Sequence, residues 1–259
     1  MKTKNKLITT AVAVVVVAVS IACIPAITGD RETAKATQQS VDVTFKKGKL
    51  IEVAFMSIKP EKQSQLQEEY FKKVMPIAAE YGLKPLGKVK VNYTYSEFVQ
   101  PQIIGFFEWT SEERHKAFLK DERFLAIKPI RDDALSFLRL GYFKVEEDTK
   151  VTFKSGELIE IFAMWLDPQN APRMQTYFQN VMPLITGEGN KYNVKFPVSL
   201  KSLEYGFDAY KPQSFGIAIW KNKESNNEFF ASKDYARVRA DKDAAIARLD
   251  VWQGEIIIN

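Results

Sequence analysis

Two glutamates stand at matching places in a sequence that repeats itself. Glu52 lies in Leu50-Ile51-Glu52-Val53-Ala54, and Glu160 lies in Leu158-Ile159-Glu160-Ile161-Phe162. A carboxyl set among aliphatic strand residues is a candidate acid or base. Burial disfavours its charged form and raises its pKa toward the range useful for proton transfer. Mutual repulsion would add to this if the two carboxyls share one interior. The plainer reading is that Lys88, Lys90 or Lys201 on neighbouring strands neutralises them, or that they reach the rim. His115 is the single histidine and Cys23 the single cysteine. His115 sits between Arg114 and Lys116, which points it toward solvent, and Asn226 takes its place later in the chain. The chain offers no intramolecular disulfide, no paired His/Cys metal motif and no phosphate-cradling Gly-rich loop. Nucleotide, zinc and hydrolase chemistry therefore drop out. Tyr93, Tyr95, Tyr205, Phe207 and Tyr210 could form the mouth of an apolar pocket or brace a long loop. Trp109 and Trp220 end matching strands, where packing is the default role.

The elements that must position these residues come twice. Val43-Thr44-Phe45-Lys46 returns as Val151-Thr152-Phe153-Lys154, and Tyr70-Phe71 through Val74-Met75-Pro76 returns as Tyr177-Phe178 through Val181-Met182-Pro183. Pro101-Gln102 and Trp109 return as Pro212-Gln213 and Trp220. The offset drifts from 108 to 111, so loop indels separate two copies of one unit. Within the first copy, period-two alternation predicts a strand over 49–58, with Leu50, Glu52, Ala54 and Met56 on one face and Ile51, Val53 and Phe55 on the other. A helical stripe follows over 63–81, interrupted by Pro76, which should kink it. Strands are expected over 87–95 and 102–109. Helical segments are expected from Thr110 to about Leu119 and from Glu122 to Leu138, then a strand over 140–145. The second copy reads as strand 157–166, helix 171–187, strands 193–202 and 213–220, helix 223–248 and strand 251–258.

The order is β-α-β-β-α-β, the ferredoxin-like unit. The fold class is thus α+β: two tandem ferredoxin-like domains, 43–145 and 151–258, linked over 146–150. Helices cover one face of each sheet. The other face is also apolar, so the two sheets should pack face to face as an intramolecular α/β-barrel and leave the chain a self-contained monomer.

Glu69-Tyr70-Phe71-Lys72-Lys73-Val74-Met75-Pro76, Phe106-Phe107-Glu108-Trp109-Thr110-Ser111-Glu112-Glu113, then Phe118, Phe124 and Arg131 resemble the uncharacterised dimeric α/β-barrel domains related to antibiotic-biosynthesis monooxygenases. The resemblance covers nearly all of 43–145 and is weaker over 151–258. It implies a cofactor-independent oxygenase or isomerase in which Glu52 or Glu160 is the base and Arg131 holds an anionic group. Lys242 replaces Arg131 in the second copy, so a bidentate contact is available in one half at most. Some relatives of this barrel bind haem through histidine, so the resemblance also implies that role as one for His115. The other reading of the residues is a binding protein for a small apolar or aromatic molecule, with Arg131, Trp109, Tyr93 and Tyr95 as contacts and no cofactor. A structural envelope role is a third. Because the family pattern is kept in the first copy, a single site would be expected there.

Residues 1–36 read as a leader. Three lysines precede the uncharged run Leu7–Ile27, long enough to span a bilayer. Cleavage after Ala22 or Ala36, lipidation at Cys23 and retention as an anchor are all open. In each case the folded part lies outside the cytoplasm, periplasmic or secreted, with the membrane met only through the leader. The formal charge is +5, and five basic against two acidic residues in 1–36 leave +2 for the rest, too weak for a nucleic-acid partner.

Overall fold

The computed structural model describes residues 39–258. The leader expected over 1–36, its cleavage sites and Cys23 lie outside them. Among the described residues no helix is long and apolar enough to cross a membrane.

The chain opens with β1 (Ser40–Phe45) and β2 (Leu50–Ile58). A helical segment over 60–80, α1, follows; its turns widen to π geometry over Leu66–Phe71 before Lys72–Glu80 resumes as α-helix. The widened turn lies just before Pro76, which cannot donate to the helix ladder, and it carries Leu66 and Tyr70 inward. Next come β3 (Lys84–Tyr95), β4 (Ile103–Trp109), α2 (Glu112–Phe118), α3 (Glu122–Ala134) and β5 (Leu135–Lys144). The second half runs β6 (Thr149–Lys154), β7 (Leu158–Leu166), α4 (Pro172–Ile185), β8 (Lys195–Ser202), β9 (Ser214–Trp220), α5 (Lys223–Phe230), α6 (Lys233–Ala245) and β10 (Ile246–Ile256).

Eight strands close into one antiparallel barrel in the order β10-β3-β4-β2-β5-β8-β9-β7. The halves meet edge to edge as well as face to face. One seam pairs Val251–Ile256 of β10 with Val89–Tyr95 of β3. The other is short, with only Phe143↔Ser202 and Lys144↔Lys201 in register. Closure removes the free edges that a split sheet would expose. A bulge between Gln253 and Gly254 bends the long seam, and Gly254 is obligatory there: a Cβ would stand 1.9 Å from the Lys90 carbonyl oxygen. The echoed segments at 43–45 and 151–153 pair with each other as β1 and β6 and turn Val43, Phe45, Val151 and Phe153 onto the barrel core.

Ile51, Val53, Phe55, Ile159, Ile161 and Ala163 are fully buried inside the barrel. The opposite face, with Leu50, Ala54 and Met56, lies under the helices of its own half. Glu52 and Glu160 are on this helix-covered face and not in the barrel interior. The all-apolar face fills the lumen, and period two then sends both carboxyls outward. They sit in two separate layers, so repulsion between them plays no part.

Two boundaries differ from the sequence reading. The helices expected to run to Leu138 and Arg248 stop at Ala134 and Ala245, and β5 and β10 begin directly after them. Pairing of Leu135–Leu138 with Met56–Ile58, and of Ile246–Leu249 with Met164–Leu166, overrides local helix propensity. The second of these helices also breaks at Ser232, whose hydroxyl caps α6 by accepting from the Tyr235 N–H.

Candidate functional site

Each half encloses a carboxyl between its sheet and its helices. In the first half, Glu52 is at mid-strand in β2, opposite Phe107 of β4 and Tyr142 of β5. The Trp109 indole N–H donates to its Oε2 at 2.9 Å, and His115 Nε2 lies 3.3 Å from the same oxygen. His115 is only 2 % exposed. It is aimed inward by α2, whose start is capped by the Ser111 hydroxyl, and it lies against the rings of Trp109, Tyr142 and Tyr205. Its Nδ1 is 2.7 Å from the Tyr205 hydroxyl, which the β8–β9 connection of the second half supplies.

Burial raises the Glu52 carboxyl from its ordinary 4.5 to about 7, against the smaller opposing pulls of the Trp109 N–H and the Arg131 charge. Burial lowers His115 from 6.5 to about 4. Both groups move toward their neutral forms, so their contact is a hydrogen bond between an imidazole and a carboxyl and not an ion pair. The cation whose field reaches Glu52 is Arg131, in place of Lys88, Lys90 or Lys201. Arg131 itself is held by Asp132 at 2.7 Å and 3.0 Å. The cavity beside these groups measures about 90 Å³ and is otherwise lined by apolar side chains such as Met56, Leu66 and Phe118.

The second half repeats the plan with different chemistry. Glu160 of β7 faces Ala218 of β9 and Gln253 of β10. Its Oε2 accepts from Gln253 Nε2 at 2.6 Å and from Asn226 Nδ2 at 3.2 Å. Lys223 in turn donates to the Gln253 carbonyl oxygen. Burial raises the Glu160 carboxyl as well, opposed by Gln253, Asn226, Trp220 and Lys223. Trp220 stands where Trp109 stands in the first half. Its indole N–H approaches closely enough to favour the ionised carboxyl, yet its geometry falls short of a hydrogen bond, and this buried N–H has no acceptor. Glu160 and Trp220 open onto a cavity of about 530 Å³, walled by Phe162, Met174, Tyr177, Phe178 and Tyr235 with Lys242 at its edge.

The sequence-selected residues thus divide between two places. Glu52, Trp109 and Arg131 come together in the first half. Tyr93 and Tyr95 do not join them: they lie on β3 beside the long seam, half exposed, and border the cavity of Glu160. Trp109 is 2 % exposed and serves Glu52 as a hydrogen-bond donor. Lys88, Lys90 and Lys201 leave Glu160 to the field of Lys223. The larger of the two cavities is in the second half, whereas the family pattern pointed to the first for a single site.

His115 is the clearest miss. Its charged neighbours suggested solvent, but His115 and Phe118 share one helical face, as Asn226 and Phe229 do in α5, and both pairs are buried. That spacing was the available signal. A haem role for His115 does not fit, because both ring nitrogens are engaged and a cavity of about 90 Å³ cannot take a macrocycle. Among the described residues no group of three or more His, Cys, Asp or Glu is placed to hold a metal ion.

No family's sequence pattern and no curated protein matches the chain. Solved structures do share its fold. It is similar to an anthrone oxidase-like protein, at 16 % identity and TM-score 0.53 over 84 % of this chain and 95 % of that one. It is also similar to a mutant chlorite dismutase from Candidatus Nitrospira defluvii, at 10 % identity and TM-score 0.50 over 82 % of this chain and 93 % of that one. The chain therefore has the dimeric α/β-barrel fold, within one polypeptide.

Proposed function

We propose that the protein is a small-molecule enzyme of the cofactor-independent oxygenase or isomerase kind, with an apolar or aromatic substrate held in the second-half cavity and Glu160 as its acid–base group. One observation carries this: a buried carboxyl, Glu160, with its pKa raised by burial, lies at the wall of a cavity of about 530 Å³. Cavities of this size suit drug-sized ligands. Glu160 takes a proton from a C–H conjugated with a carbonyl, and the negative charge delocalises onto the substrate oxygen. Return of the proton at another atom completes an isomerisation. Attack of the carbanion on O₂, with loss of water, completes an oxygenation. Neither course needs an external reductant. The fold shared with an anthrone oxidase-like protein is consistent with this chemistry and supplies a probe.

In the same reading, the chain is two tandem ferredoxin-like domains forming a monomeric pseudo-dimer, exported behind its leader. The strand orders β5-β2-β4-β3 and β10-β7-β9-β8 support the tandem arrangement. The test of function is oxygen uptake with anthrone by the purified protein. Glu160→Gln is expected to lower the rate at least ~100-fold, as loss of a general base does. An unchanged rate in that variant would remove Glu160 from the mechanism.

A further inference from the structure

The first-half cluster plays no part in that mechanism, yet it is the more connected of the two. We propose that Tyr205, His115 and Glu52 form a proton relay that carries protons between the surface at the β8–β9 connection and the small cavity of the first half, making that cavity a second, separate acid–base site. The geometry is linear in chemistry: hydroxyl, imidazole, carboxyl, with contacts of 2.7 Å and 3.3 Å on the two ring nitrogens. A neutral imidazole has one N–H and one bare nitrogen, so it must donate at one contact and accept at the other. With Glu52 ionised, Nε2–H donates to the carboxylate and the Tyr205 hydroxyl donates to Nδ1. With Glu52 protonated, the carboxyl donates to Nε2 and Nδ1–H donates to Tyr205. Passage between the two states is balanced. A solvent proton arrives at the Tyr205 oxygen, the former Tyr205 proton moves to Nδ1, and the Nε2 proton moves to Glu52. No charge is left on the ring.

The surroundings keep the ring neutral and leave the wire its single path. The groups facing it are Trp109 from β4, Tyr142 from β5 and Tyr205 from the loop, with Tyr70 from α1 and Arg131 from α3 around the carboxyl. At the outer end, Lys116 stands 5.0 Å over the Tyr205 ring, and Glu112 and Glu113 act on its hydroxyl. Burial favours uncharged imidazole over imidazolium. The second half has no such wire: Asn226 replaces His115, and an amide cannot pass a proton by changing tautomer at neutral pH. The proposal does not rest on catalysis at Glu160.

Because His115 is the only histidine, ¹⁵N-histidine labelling of the full chain reports on it alone. The expected spectrum shows the Nδ1–H form well below about pH 7 and the Nε2–H form well above it, following Glu52. In Glu52→Gln this switch disappears. In Tyr205→Phe, exchange of the ring N–H with solvent slows about tenfold or more, while Glu160→Gln leaves it as in the wild type. One tautomer at every pH in the wild type would overturn the relay, as would an imidazolium at neutral pH. Unaltered exchange in folded Tyr205→Phe would overturn it too. The wild-type titration decides the matter even if that variant fails to fold.

Discussion

Glu52 and Glu160 hold the same position on equivalent strands, under equivalent helices, with a tryptophan at the same place on the neighbouring strand. Their surroundings differ in two ways. The first carboxyl is engaged by side chains: Trp109 donates to it, and His115 touches it and is held in turn by Tyr205. The second keeps an idle N–H and an open volume nearly six times larger. A loop from the other half accounts for part of this. The β8–β9 connection delivers Tyr205 into the first-half core, and Asp208 on the same loop clasps Arg139 with contacts of 2.5 Å and 3.0 Å. Tyr93 and Tyr95, which border the second cavity, are 50 % and 59 % exposed. A duplicated carboxyl site can therefore diverge without change at the carboxyl, through a loop contributed by the other half.

The strongest expected effect concerns what holds Gln253 on Glu160. Gly254→Ala places a methyl 1.9 Å from a backbone oxygen, so the long seam must part and the fold should lose on the order of 3 kcal/mol or more, read by chemical denaturation. Loss of less than ~1 kcal/mol would mean the seam is looser than described.

Next are the opposed titrations of the first half. Glu52, raised to about 7, keeps its proton in the folded chain where the unfolded chain has lost it, so its contribution to stability declines as pH rises from 4.5 to about 7. His115, lowered to about 4, contributes stability that is lost as pH falls from 6.5 to about 4. In the wild type the two slopes oppose each other. His115→Asn, the residue found at the second site, leaves stability falling with pH by on the order of 3 kcal/mol across the Glu52 window. Glu52→Gln removes that fall and leaves the rise across the His115 window opposed by Glu160 alone of the two raised carboxyls. Equal pH profiles for the two variants would contradict the burial of both groups.

The tryptophans give a smaller contrast. Trp109→Phe removes a donor from a buried carboxyl and should cost roughly 1–3 kcal/mol beyond the change in packing. Trp220→Phe removes an N–H that has no partner, so it should be near neutral or stabilising in thermal melts. The reverse ranking would show that Trp220 is the paired donor.

Much of the frame was legible from the chain. The echo of Val43-Thr44-Phe45 in Val151-Thr152-Phe153 marked a pseudo-twofold, and alternation through Leu50–Ile58 marked the central strand and singled out Glu52. Which face of that strand lines the barrel was not legible, because both faces are apolar and only assembly of all eight strands settles it. The starts of β5 and β10 were missed for the same reason, since their pairing partners lie some 80 residues away in sequence. Tyr205 stood out only as an aromatic on the long connection, at a pocket mouth or bracing the loop, with nothing local to say what it would meet. Its place on His115 is a contact across 90 residues, made by a loop with no periodicity.

The division of labour between the halves is tested most directly by measuring oxygen uptake with anthrone for Glu160→Gln and Glu52→Gln side by side. The open second site predicts a fall of at least ~100-fold for the first variant and no more than a few-fold change for the second. The opposite pattern, with Glu52→Gln inactive and Glu160→Gln intact, would contradict it and move catalysis to the first half.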